Sequence, residues 1–192
     1  MIDSLETRSH LSMTTDMVSW LNAARANPSQ ACADVGVSLN EGLPAGTITS
    51  TPKHPLVLDA RLTTAAQKQA ELILQTGILD HGLNGTPQTR AASEGYRANV
   101  ILENAGVTIS GAVFYDPAGV LHRQHNAYVA HAGHRVQLFD ERVSNVGVGV
   151  AIGEWGTSPA MASVLMFAST PTRHAERLFY RFGSREPGTV LE

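Results

Sequence analysis

The sequence has little cysteine, few aromatic residues and no long apolar run. Among its 192 residues Cys32 is the single cysteine, and aromatic side chains make up 6%. A lone cysteine excludes both an intramolecular disulfide framework and a thiolate zinc cluster. No apolar run approaches the roughly 20 residues that cross a bilayer, so we expect no transmembrane segment. A chain of this length can still bury a sizeable core without a disulfide or a metal.

Strong charge of either sign is also missing. The formal net charge is −3, and the 14 basic residues are spread thinly along the chain. This distribution offers no footprint for a phosphate backbone, and we expect no nucleic-acid partner. Residues 1–6 lack the basic and apolar segments of a signal peptide, so no export signal is visible in this chain. The final Leu191-Glu192 resembles a vector-derived scar, which suggests a piece of a longer protein.

The first quarter of the chain is predicted to be an arm followed by helices. Residues 1–13 show no periodicity and are expected to form an N-terminal arm. Thr14 or Thr15 can cap a helix whose apolar stripe continues until Asn27, and a short second helix follows. Residues 36–55 contain several glycines and prolines without a sustained period, which is typical of a long surface loop.

Further along, helices give way to strands. Asp59 is expected to cap the start of the strongest helix, which ends at Gly77. Thr86 is expected to cap the start of a short helix. We predict a strand within residues 98–109 and a helix around residues 111–130.

A glycine-alternating strand comes near the end of the chain. Glycine alternates with valine and isoleucine over residues 147–152, which is the period of a strand. Because glycine has no side chain, this face must lie close against another element. The apolar run at residues 163–167 is suited to pair with it. The order of elements predicts an α+β fold with helices packed against an antiparallel sheet.

Several short motifs follow one another in a recognisable order. They are Leu21-Asn22-Ala23-Ala24-Arg25, His81-Gly82, Arg90, Gly95-Tyr96, Glu103-Asn104, Gly133-His134-Arg135 and Val146-Gly147-Val148-Gly149. This set resembles the CAP superfamily (cysteine-rich secretory proteins, antigen 5 and pathogenesis-related 1 proteins), in particular its bacterial, cysteine-poor SCP-like branch. The resemblance implies an α-β-α sandwich over residues 14–170. Residues 171–192 would then be a C-terminal extension, with room for a further strand.

The resemblance also implies a central cleft lined by two histidines and two acids, where some members hold a divalent metal. His81 and His134 match the histidines, and Glu103 matches one acid. In the helix before His134, residues 122–128 carry no carboxylate, and Gln124 is the nearest residue that aligns with the second acid. An amide cannot act as a base near neutral pH, so this departure weakens a hydrolase interpretation.

The same residues can be interpreted by their chemistry alone. Two neutral imidazoles can supply two ligands of a tetrahedral zinc ion at roughly 2 Å. Glu103 would be either a third ligand or the acceptor that fixes the tautomer of one imidazole. The alternative is a buried polar network in which Glu103 pairs with Arg135 or with a histidine.

A second histidine constellation competes with the cleft. His122 and His125, and likewise His131 and His134, are spaced i, i+3, which places each pair on one face if its segment is helical. Such a cluster could bind a metal unrelated to the cleft. A solvated helix face is the simpler interpretation.

Three functions are consistent with these observations. We favour a non-enzymatic binding module for a lipid, a sterol or a protein, with Zn²⁺ or another divalent cation as its only cofactor. The second is a metal-dependent hydrolase in which Glu103 takes a proton from zinc-bound water. The third is an accessory domain of a longer exported protein. The resemblance implies a secreted or cell-surface protein, and we expect a monomer.

Overall fold

A computed structural model describes residues 3–114 and 116–171, with residues 3–11 as backbone only. Six helices and four strands lie in this part of the chain. In order they are α1 (Asp3–Ala26), α2 (Pro28–Asp34), β1 (Val57–Leu58), α3 (Ala60–Thr76), α4 (Pro87–Ser93), β2 (Ile101–Ile109), α5 (Pro117–Ala130), α6 (Ala132–Leu138), β3 (Asn145–Trp155) and β4 (Ser158–Ala168). Beyond its first residue, Pro171, the predicted C-terminal extension lies outside the described residues.

The four strands form one sheet in the order β1-β3-β4-β2. β3 and β4 form an antiparallel hairpin, and β2 runs antiparallel to β4 on its other side. At the opposite edge, Val57 and Leu58 of β1 pair in parallel with Asn145 and Val146 of β3. Three strands are therefore antiparallel, as predicted. The sheet as a whole is mixed, because the two residues of β1 add a parallel pair just before α3 begins.

Helices cover both faces of the sheet. One apolar core lies between the sheet and α1, α2 and α5, and it includes Val146, Val148 and Val150 of β3. The other lies between the sheet and α3, and it includes Leu62 and Ala66. Successive β3 side chains point to opposite faces, which is why its valines and its glycines meet different helices. The predicted α+β fold with a three-layer arrangement is confirmed.

The glycine face of β3 lies directly against α3. A methyl group added at Gly147 would come within 2.1 Å of the Leu62 carbonyl carbon, and one at Gly149 within 2.2 Å of that of Ala66. Both obstacles are helix backbone, which cannot rotate aside as a side chain can. The close approach predicted from the glycine alternation is therefore confirmed.

α1 begins much earlier than predicted. It starts at Asp3, so the predicted arm over residues 1–13 is helical from that point and the predicted cap at Thr14 or Thr15 is wrong. No glycine or proline interrupts the sequence from Asp3 to Ala26, and such residues are the strongest helix breakers. Buried Met13 extends the apolar stripe by one turn. The other predicted caps are confirmed, since Asp59, Gly77 and Thr86 stand at the helix ends.

Arg25 at the end of α1 anchors the long loop. Its buried guanidinium donates hydrogen bonds to the backbone carbonyls of His54, Leu138, Asp140 and Val143. Burial lowers the pKa of Arg25 to about 10, and the nearby carboxylates partly offset this effect. The guanidinium remains charged near neutral pH and joins three segments that are distant in sequence.

We expect Gly149→Ala to destabilise the protein by about 1–3 kcal/mol, because the added methyl overlaps the α3 backbone. Gly153→Ala is the matched control on the same strand, since its methyl would lie 3.4 Å from a Leu74 side-chain carbon, an ordinary contact. Urea unfolding monitored by circular dichroism measures both. Equal losses of stability in the two variants would contradict the close helix–strand contact.

Candidate functional site

Glu103 lies at the centre of a buried polar cluster. Its side chain, on β2, is 1% exposed. Glu103 Oε2 accepts a hydrogen bond from Arg90 Nη2 at 2.5 Å, and Oε1 lies 2.9 Å from His81 Nδ1. A carboxylate buried this deeply needs a counter-charge, and Arg90, itself 5% exposed, supplies it.

Arg90 also holds the loop that carries His81. Its Nη1 donates to the carbonyl oxygens of His81, Leu83 and Gly85. α4, which carries Arg90, begins at the Thr86 cap directly after this loop. One guanidinium therefore joins the loop, α4 and β2.

Glu103 fixes the orientation of the His81 ring. A carboxylate can only accept, so His81 Nδ1 carries the proton and donates it to Glu103 Oε1. The lone pair then lies on Nε2, the arrangement typical of a metal-ligating histidine supported by a carboxylate. The His81 side chain is 55% exposed and thus accessible from solvent. Both Glu103 oxygens are engaged in hydrogen bonds, Oε1 with His81 and Oε2 with Arg90.

His134 lies in the first turn of α6, surrounded by other rings. Its ring centroid is 5.1 Å from that of Tyr128 and 4.7 Å from that of His131. Asn104 Nδ2, next to Glu103 on β2, donates to the His134 carbonyl at 3.1 Å. Burial, then the charges of His131 and His81, lower the pKa of His134 to about 4. His134 is therefore neutral near pH 7.

The recorded hydrogen bonds of Gln124 are made outside the group formed by His81, Glu103 and His134. Its Nε2 donates to Thr108 Oγ1 at 2.9 Å and to the Met161 carbonyl at 3.0 Å. These bonds join α5 to β2 and β4, and neither involves His81, Glu103 or His134. Its role in the cleft stays a prediction.

Arg135 does not contact Glu103. Its guanidinium is buried and donates to the carbonyls of Val129, Ala130 and Glu41. The predicted pairing of Glu103 with Arg135 is therefore wrong, whereas its pairing with a histidine is confirmed.

Sequence reasoning alone assigns no role in the cleft to Arg90 or Tyr128, and it places His131 only in the second histidine constellation. For Arg90 a signal existed, because a buried acid demands a cation and Arg90 lies between His81 and Glu103 in the chain. Tyr128 donates to the Ser163 carbonyl at 3.0 Å, and burial raises its pKa well above the ordinary value. The i, i+3 spacing already predicted His131 beside His134, whereas only the tertiary structure brings Tyr128 there.

The donor set in the cleft suits a cation held chiefly by imidazoles. Within residues 3–114 and 116–171, no group of three or more His, Cys, Asp and Glu side chains is arranged to hold a metal ion. His81 and His134 offer two imidazoles, and water or a ligand would complete the coordination. The four histidines of the second constellation do not form one cluster. His131 borders the cleft, whereas His122 and His125 line another groove.

The fold and the site together define a three-layer α+β domain with a polar cleft, whose ionisable side chains come from a loop, a strand and two helices. A family model described as the cysteine-rich secretory protein family, CAP, matches residues 18–167. The chain therefore belongs to the CAP family, which confirms the resemblance seen in its motifs. No curated protein sequence matches it significantly. Among the described residues, no helix is long and apolar enough to cross a membrane.

Solved structures share this fold. An extracellular protein containing an SCP domain from Bacillus anthracis is 15% identical with a TM-score of 0.56, over 84% of this chain and 41% of that one. BmVAL-1 is 14% identical with a TM-score of 0.54, over 82% and 77%. Manganese-bound Ac-ASP-7, an Ancylostoma-secreted protein, is 14% identical with a TM-score of 0.46, over 83% and 70%. At these identities the likeness to the first two structures shows the fold alone, and nothing is drawn from the third.

We expect Arg90→Met to cost about 3–5 kcal/mol of stability, because it leaves the Glu103 carboxylate buried without a counter-charge. The double variant Arg90→Met/Glu103→Gln should regain part of this loss. Arg142→Met is the matched control and should change little, since Arg142 pairs with Asp140 while its side chain is 66% exposed. Chemical unfolding at neutral pH measures all three. A loss for Arg90→Met no larger than that for Arg142→Met would contradict the buried ion pair.

Stability should fall as the pH drops from about 6.5 to about 4, in part because of His134. Its pKa in the folded protein, about 4, lies below the ordinary value of 6.5. Between these values the unfolded chain binds a proton that the folded chain does not, so acid favours unfolding. Thermal unfolding at pH 7 and pH 4.5 should show a smaller drop for His134→Gln than for wild type. His54→Gln, at an exposed histidine, is the control and should keep the wild-type drop.

Proposed function

We propose that this chain is a non-enzymatic binding domain whose cleft holds a divalent cation between His81 and His134. The observation that carries the proposal is the engagement of Glu103, whose two oxygens bind Arg90 and His81. This arrangement leaves the carboxylate to orient an imidazole. Neutral imidazoles suit Zn²⁺ and related transition metals. The cation would supply a Lewis-acidic centre that attracts an oxygen of a bound ligand.

A metal-dependent hydrolase is the second candidate. Its chemistry needs a general base within hydrogen-bond reach of the reacting water. Glu103, the predicted base, is buried and paired with a guanidinium, and Gln124 offers an amide. These features favour binding over turnover.

The setting that we propose is outside the cell. The family is described as secretory, and the Bacillus anthracis neighbour is an extracellular protein. The chain spans 41% of that neighbour, as one domain of a longer exported protein would. The ligand classes that we propose are a lipid, a sterol or a partner protein, bound by a monomer.

Calorimetric titration of Zn²⁺ into chelator-stripped protein tests the cation site. We expect a binding event that His81→Gln and His134→Gln each abolish or weaken by at least about 10-fold, because each removes a ligand. Glu103→Gln should weaken it about 10–100-fold through the orientation of His81. His54→Gln is the control and should bind as wild type does.

The same preparations distinguish binding from hydrolysis. Ester and phosphodiester substrates should show no turnover above that of the free metal ion, whether or not Zn²⁺ is bound. Metal-dependent turnover that disappears in Glu103→Gln would overturn the binding domain in favour of the hydrolase. Zinc binding that survives both histidine substitutions in a His122→Gln background, which lacks the competing histidine pair, would remove the cation site.

A further inference from the structure

A second set of ring side chains lines a groove between α1, α2 and α5. The groove has a volume of about 400 Å³, and its lining includes Trp20, Asp34, His122 and His125. None of the cluster around Glu103 contributes to this lining. The groove is therefore separate from the cleft.

The two imidazoles of α5 are spaced as two ligands of one ion would be. His122 and His125 are one turn apart on the same helix face, with ring centroids 6.1 Å apart and ring planes at 5°. Metal–nitrogen bonds of about 2 Å place the centroids of two ligand rings about 5–6 Å apart. Because the two rings are parallel and stacked, at least one of the side chains must rotate for both to bind the same ion.

His125 carries an unsatisfied nitrogen. The residue is 6% exposed, and its Nδ1 lies 3.1 Å from Asn126 Oδ1, an acceptor that makes Nδ1 the protonated nitrogen. The lone pair then lies on Nε2, which is buried and makes no hydrogen bond of normal geometry, although the Trp20 backbone lies near the ring. Buried polar atoms normally have a partner. A metal ion is a suitable partner for this nitrogen, because it accepts a lone pair.

The surroundings of the pair also favour a cation. Asp34 and Gln30 bring oxygen donors to the groove. Among the described side chains that line it, none belongs to lysine or arginine. His122 is exposed and free to rotate towards an entering ion.

We propose that His122 and His125 form a second metal site, selective for divalent transition-metal ions that prefer imidazole, such as Cu²⁺, Ni²⁺ and Zn²⁺. Water and the oxygen donors of the groove fill the remaining positions. Because the described residues offer no third histidine, cysteine or acid already in place, the ion exchanges readily and is not needed for folding. The site is independent of the cleft and of the function proposed for it.

Trp20 provides a local readout of this site. Its ring is 4.7 Å from that of His122, and Cu²⁺ bound at that range quenches tryptophan emission. The chain has two tryptophans, so Trp155→Phe leaves Trp20 as the only emitter. Titrating CuCl₂ into Trp155→Phe protein should quench its fluorescence saturably, and a chelator should restore it.

Variants in the Trp155→Phe background identify the ligands. His122→Gln and His125→Gln should each weaken the quenching affinity by at least about 10-fold, and His122 is exposed, so its substitution should leave the fold intact. His81→Gln should leave the affinity unchanged, because His81 belongs to the cleft. Quenching that is absent, that is unaffected by His122→Gln, or that is lost in His81→Gln would overturn the second site.

Discussion

A buried carboxylate must find a counter-charge, and the ion pair between Glu103 and Arg90 meets this requirement at the centre of the molecule. The pair does more than neutralise a charge. Arg90 also gathers the carbonyls of the loop that carries His81, and Glu103 determines which nitrogen of that ring is protonated. The exposed imidazole is thus positioned by groups that are themselves shielded from water, which is why its orientation can persist in solution.

The contact between α3 and β3 positions the elements that carry this cluster. Two glycines let the helix backbone approach the strand closely, and β4 then carries β2 on its far side. α3 ends at Gly77, and the chain passes through the His81 loop into α4 before it reaches Glu103 on β2. The cleft therefore combines a loop that follows one helical layer with His134, whose helix packs against β2 in the other layer. The groove that holds His122 and His125 lies in that second layer.

Local signals account for what could be predicted from the sequence. Asp59 and Thr86 are side-chain caps, and the glycine alternation in β3 reflects the close contact with α3 at Gly147 and Gly149. The start of α1 was not predictable from periodicity, because the stripe weakens before Met13. β1 was missed since its pairing depends on a strand far away in sequence. Gln124 illustrates a further limit, because a helix turns about 100° per residue and alignment alone cannot tell which face a side chain occupies.

The central claim is that Glu103 holds His81 in a single tautomer with its lone pair on Nε2. Long-range proton–nitrogen NMR of ¹⁵N-histidine-labelled protein at neutral pH measures the tautomer directly, without any metal or substrate. Our account predicts that His81 is protonated at Nδ1 in the wild type and becomes a mixture of tautomers in Glu103→Gln. A wild-type His81 protonated at Nε2, or a tautomer mixture indifferent to the substitution, would contradict it.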